Sequence, residues 1–132
     1  MAEQYVASVG AGSLVIDDGV PMDHAWTGAG VTFEAPFSGA HLLHLAVAGC
    51  VLNDVYREAE RLGVHVDGVR VTAHGSFEEE TWHGSGIEYD VAVDSASTVA
   101  QVEELLARVE QVAEIPRALR HGIPVRRRDQ RA

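Results

Sequence analysis

Residues 36–63 read PFSGAHLLHLAVAGCVLNDVYREAERLG, and their spacing predicts one long buried helix carrying the chain's only cysteine, Cys50. Ser38 is placed to cap its start, and Gly63 to end it in the left-handed conformation that closes a last turn. From Leu42 to Leu52 nearly every residue is apolar, with no polar stripe. A helix hydrophobic all round belongs in the middle of a core. Beyond Leu52 the pattern narrows: Val55, Tyr56, Ala59 and Leu62 recur at helical spacing, while Arg57, Glu58, Glu60 and Arg61 are expected to face out. The run is too short for a bilayer, being about a dozen apolar residues interrupted by His44 against roughly 20 needed. The opening MAEQYVASVG lacks the basic start and apolar core of a signal peptide, so a cytoplasmic protein with no membrane partner is expected.

Upstream, QYVASV (4–9) and SLVID (13–17) read as strands, and Asp18-Gly19 followed by Pro21 is a turn signal. A third short strand is expected from about His24 to Gly28, with GAGVTFEAP as a loop into the helix. Downstream of Gly63 the hydrophobic period switches from 3.6 to 2. Val64, Val66, Val69, Val71 and Ala73 alternate with polar residues, as do Ile87, Tyr89, Val91 and Val93. These two runs predict an antiparallel hairpin turning through EEETWHGSG. Thr98 and Gln101 have capping-box spacing ahead of a second helix, whose stripe is Val99, Val102, Leu105, Leu106, Val109, Val112 and Ala113. Pro116 ends that helix or begins another turn, and IPVRR is expected as a closing strand. The whole is an α+β domain: a β-meander, a long central helix, an antiparallel hairpin, a second helix and a closing strand.

With 132 residues the chain makes one domain, 1–132, ending in an arginine-rich tail from about residue 126. The net charge of −10 sets its body against nucleic acid, so no nucleic-acid partner is expected. All ten basic residues are arginines, and none precedes Arg57. One cysteine excludes an internal disulfide and a Cys-rich zinc site. His41 and His44, at i and i+3, form an HxxH pattern too weak to assign a metal, and nothing else in the sequence calls for a metal or cofactor.

The segment LLHLAVAGCVLNDVYREAERLGVHVDGVRVTAHGSF, with the ending EIPRALRHGIPV, resembles the OsmC/Ohr family of thiol-dependent hydroperoxide reductases. The likeness runs over nearly the whole chain. It implies an intertwined homodimer with the long helices packed centrally and a pocket at the interface. It also implies that Cys50 is the peroxidatic cysteine and that the partner molecule is a hydroperoxide or another apolar small ligand. The family's resolving cysteine stands just before the proline of the second-helix ending, and here that place is Ile115. Its glutamate falls near Ala40, and its N-terminal arginine has no counterpart.

Those substitutions point to a one-cysteine peroxidase recycled by an external thiol. The alternative is a dimer of this fold recruited to another reaction, or to small-molecule binding in the interface pocket. Cys50 has apolar neighbours, and Asp54 lies one turn on, where its charge opposes ionisation. At about 100° per residue, His41 and His44 point away from Cys50 along the same helix. They remain candidates for the pocket with Ile115, and any group that activates Cys50 must come from another element or subunit.

Overall fold

The computed structural model describes residues 3–129. A five-stranded antiparallel sheet is built from β1 (Tyr5–Gly12), β2 (Val20–His24), β3 (Thr27–Glu34), β4 (Gly68–Phe77) and β5 (Gly84–Asp94), in the order β2-β3-β1-β4-β5. Helix α1 (Gly39–Leu62) lies across β1 and β4, and α2 (Val99–Val112) and α3 (Glu114–His121) pack on α1. In register, Val9 stands beside Val71 and Ala11 beside Val69, so one face of β1 and β4 is a continuous apolar surface. Those residues meet Val47, Ala48, Val51, Leu52 and Val55 of α1, with Leu105 and Val109 of α2 completing the core. Among the described residues, no helix is long and apolar enough to cross a membrane.

Both predicted helices form, each for a local reason. The Ser38 side chain accepts the His41 amide, and Gly63 closes α1 at φ 68. The Thr98–Gln101 capping box is complete at the start of α2. The β4–β5 hairpin also forms, turning through Glu78–His83 with Trp82 left-handed at φ 58. Pro116 begins no new element and ends none, because it stands third in α3. There it falls among amides that have no partner inside the helix.

The meander differs from the expected one. SLVID is a loop folded over the outer face of the sheet. Its Leu14 and Val15 carbonyls accept from Arg70, at 3.0 and 2.8 Å, and the Ile16 amide donates to Thr32 Oγ1 at 2.8 Å. A side chain at Gly10 would collide with the Leu14 carbonyl, so glycine there is what admits the loop. The second strand is β2, after the Asp18-Gly19 turn. The segment expected as a loop, GAGVTFEAP, supplies most of β3, whose Gly30 takes φ 79 against the Met22 carbonyl.

The expected closing strand is absent among the described residues. Residues 122–129 have no regular structure, and Ile123 and Val125 are exposed. Pro124 lacks an amide to donate, and neither edge of this sheet receives the segment. Residues 1, 2 and 130–132, including Arg131 of the arginine-rich tail, lie outside the description.

Candidate functional site

Helix periodicity places Cys50, Asp54, Arg57, Glu58 and Arg61 along one stripe of α1. Glu60 and Arg61 face out as expected, but Glu58 does not, and Arg57 is largely covered. Asp54 is fully buried and Glu58 is 1% exposed. Glu58 accepts from Arg57 Nε and Arg108 Nε, both at 3.2 Å, and Arg61 Nη1 lies 3.4 Å away. Burial works to raise the Glu58 pKa, but the hydrogen bonds from Arg108 and Arg57 and the charge of Arg61 hold it below the usual value. A carboxylate can be desolvated here because three guanidinium groups reach it. Arg57 also spans Asp54 Oδ2 at 3.2 Å and Glu114 Oε1 at 3.5 Å, so one cation ties three acids together.

Cys50 stands at the N-terminal end of this stripe, half-buried. Its thiol donates to Glu114 Oε2 at 3.8 Å. Glu114 opens α3, whose N-terminal residue Ala113 provides no side-chain cap. Desolvation pushes the Cys50 thiol pKa up, and the charges of Asp54 and Glu114 push the same way; the backbone amides of Ile115 and Glu114 pull against them. A helix start favours an anion, yet burial and two carboxylates prevail and the net direction is up. Asp54 is raised as well, first by burial, which the Asn53 hydrogen bond and the Arg57 charge only partly offset. The sulfur and one oxygen from each of Asp54 and Glu114 lie within 4.8 Å of one another.

Beside this centre an apolar cavity of about 440 Å³ opens between α1, the hairpin and α3. Val47, Phe77, Ile87, Tyr89, Pro116 and Leu119 line it, and Arg120 is the one charged residue in its wall among the described residues. Val47 is one turn before Cys50. The Tyr89 phenol lies in the cavity wall: burial raises its pKa most, the charges of Glu110 and Cys50 add to this, and Arg120 opposes them.

The two histidines are placed elsewhere. His41 Nδ1 lies 2.6 Å from Ser38 Oγ, and its ring meets Tyr5 edge-on at 5.0 Å. His44 is wholly buried beside Tyr5 and Phe77; its Nδ1 is 2.7 Å from the Ala40 carbonyl, so Nδ1 donates. His44 Nε2 has no hydrogen-bond partner among the described residues. It is accommodated because position 75 is glycine: a Cβ there would sit 2.7 Å from Nε2. Ile115 is the second residue of α3, and it is the backbone amide at this position that acts on the sulfur.

A second groove, of about 360 Å³, lies on the opposite flank of α1 against the β2–β3 hairpin. Leu42, Leu45, Ala46 and Gly49 form its helical wall, with Met22 and Phe33 facing them. Leu42 and Ala46 are exposed, so the first half of α1 is apolar all round without being covered all round in this chain.

Comparison with known proteins agrees with this architecture. A family profile described as OsmC-like protein matches residues 34–127. An OsmC-like hydroperoxide resistance protein from Jannaschia sp. superimposes with a TM-score of 0.60 at 13% identity, over 96% of this chain and 93% of the other. An OsmC-like protein from Mycoplasma pneumoniae gives a TM-score of 0.59 at 11% identity, over 91% and 87%. No curated protein matches the sequence.

Proposed function

This chain belongs to the OsmC-like protein family, and from that premise we propose that it is a one-cysteine, thiol-dependent reductase of apolar hydroperoxides. The observation that carries this reading is the position of Cys50, at the uncapped start of α3 and one helical turn from Val47 in the wall of an apolar cavity. The cavity holds the organic part of the substrate and Arg120 faces its polar end. The Cys50 sulfur attacks the terminal peroxide oxygen, and the O–O bond breaks. Cys50 becomes the sulfenic acid, and the departing alkoxide takes a proton to leave as the alcohol. Ile115 stands where a second cysteine would close a disulfide. An external thiol therefore attacks the sulfenic sulfur and expels water, and a second thiol releases Cys50 and carries away the disulfide.

Two carboxylates close to the sulfur favour a second reading, in which the cavity binds an apolar ligand without turnover. One experiment separates the two. Hydroperoxide consumption is followed with monothiol and dithiol reductants, on wild type and Cys50→Ser, beside binding of an apolar fluorescent probe. Consumption that Cys50→Ser abolishes supports the reductase. Probe binding by both proteins with no consumption by either establishes the binding reading.

We also propose that the working unit is an intertwined homodimer, joined through the uncovered flank of α1. Leu42, Ala46 and the groove they border form an apolar surface of the kind a second subunit covers. Light scattering at micromolar concentration is expected to give twice the 14.2 kDa chain mass. A monomer mass sinks the proposal, and Ala46→Glu is expected to produce one.

A further inference from the structure

We propose that Cys50, Asp54 and Glu114 form a binding site for a divalent transition-metal ion of the zinc type, with a fourth coordination position open to the solvent side. Two ligands come from one face of a rigid helix at i and i+4, and the third comes from the start of α3. One donor atom from each lies within 4.8 Å of the other two. Cys50 Sγ and Glu114 Oε2 are already 3.8 Å apart. With Zn–S near 2.3 Å and Zn–O near 2.0 Å, ligands of a tetrahedral zinc stand roughly 3.5 Å from one another. Closing the site thus takes a shift of about an ångström in side chains that face one another.

The second observation is Asp54 itself. Its side chain is 0% exposed, yet Oδ2 receives no hydrogen bond among the described residues. Arg57 Nη2 lies 3.2 Å from that oxygen and offsets its charge, but no N–H is aligned on it. A buried carboxylate oxygen without a donor is costly, and a metal ion satisfies it directly. Arg57 engages Glu114 through Oε1, which leaves Oε2 on the Cys50 side. In that position Arg57 holds both carboxylates as an outer partner of the metal centre.

The donor set selects the ion. One sulfur and two oxygens suit borderline zinc or cobalt better than magnesium or calcium, which take oxygen donors alone. Binding releases the thiol proton to solvent, and the thiolate with two carboxylates then faces the 2+ ion. A metal held there occupies the sulfur and keeps it from hydroperoxide. The site is defined whether or not Cys50 turns over a peroxide.

The test is a titration of reduced, chelator-stripped protein with Co2+, read as the near-ultraviolet thiolate-to-cobalt charge-transfer band. The band is expected with one equivalent and is expected to vanish when Zn2+ is added. Cys50→Ser removes it. Glu114→Gln changes an exposed side chain and leaves the fold intact, and it is expected to weaken binding at least about tenfold. Histidine sites produce no thiolate band, so the seven histidines do not confuse the reading. Absence of the band overturns the proposal. So does a band of unchanged affinity in both Glu114→Gln and Asp54→Asn, which is binding by a lone thiol.

Discussion

Replacing Arg57 with alanine is expected to lower the unfolding free energy by about 3–5 kcal/mol at pH 7. The loss comes from the two acids left behind. Asp54 and Glu58 have side chains 0% and 2% exposed, so neither can recover its charge stabilisation from water. Glu58 keeps Arg108 and Arg61, whereas Asp54 keeps only the amide of Asn53 at 3.2 Å. The penalty therefore falls mainly on Asp54. Its pKa is already raised by burial, and removing the nearby cation raises it further. A carboxyl with a raised folded-state pKa stabilises the fold below its unfolded value, near 3.9, and loses that contribution as pH climbs through the folded value. The gap between wild type and Arg57→Ala should thus be widest at neutral pH and narrow under acid. Glu58 has the opposite sign in wild type: its lowered pKa contributes stability at neutral pH that disappears on acidification. Urea unfolding at pH 7.5 and pH 5 measures both trends. The double variant Arg57→Ala/Asp54→Asn should be more stable than Arg57→Ala alone. A loss under about 1 kcal/mol would reduce Arg57 to an ordinary surface ion pair.

That buried network marks where sequence reading stopped. The ends of α1 were legible because Ser38 and Gly63 act locally, through one side-chain cap and one left-handed glycine. The β4–β5 hairpin was legible because Val69, Val71 and Ala73, like Val91 and Val93, keep a strict period of two. The strand at QYVASV was legible and forms as β1, but the next two were not, because β3 begins TGAG and glycines erase the alternation that identifies a strand. SLVID carries strand-like residues, but the carbonyls of Leu14 and Val15 are taken by Arg70, more than fifty residues away. Composition gives no sign of that contact. The closing strand failed for a related reason: IPVRR has the right residues and, among the described residues, no strand beside which to lie.

At the site, Cys50 and its neighbour Asp54 were visible one turn apart on α1. Glu114 and the role of Arg57 were not. Charged residues at helical spacing usually mark a solvated face, which holds for Glu60 and Arg61 but not for Glu58 or, in full, for Arg57. What overrides the pattern is α2, which brings Arg108 onto Glu58 from across the interhelical seam. Glu114 had one available signal: it directly precedes Ile115, where the resemblance would put a second cysteine, and it is Glu114 that stands 3.8 Å from the Cys50 sulfur. A reading confined to which residue replaces the cysteine passes over its neighbour.

Cys50 is expected to be a slow nucleophile at neutral pH in metal-free protein. Desolvation raises its pKa most, and Asp54 and then Glu114 add to it, against the amides of Ile115 and Glu114. A pKa higher by one leaves about a tenth of the thiolate at pH 7, a difference of about 1.4 kcal/mol. Alkylation by iodoacetamide should therefore keep rising with pH beyond the range where an ordinary thiol, with a pKa near 8.5, levels off. Asp54→Asn should speed the reaction at pH 7, because it removes a buried charge one helical turn from the sulfur. Glu114→Gln should speed it less and only at low salt, since the Glu114 side chain is 66% exposed and water screens it. Hydroperoxide should follow the same order, because a thiolate is the attacking species in both reactions. A profile already flat at pH 6, with the thiolate fully formed, would sink the prediction. The start of α3 would then outweigh burial and both carboxylates, and Ile115→Pro, which deletes the amide facing the sulfur, should return the profile to alkaline pH.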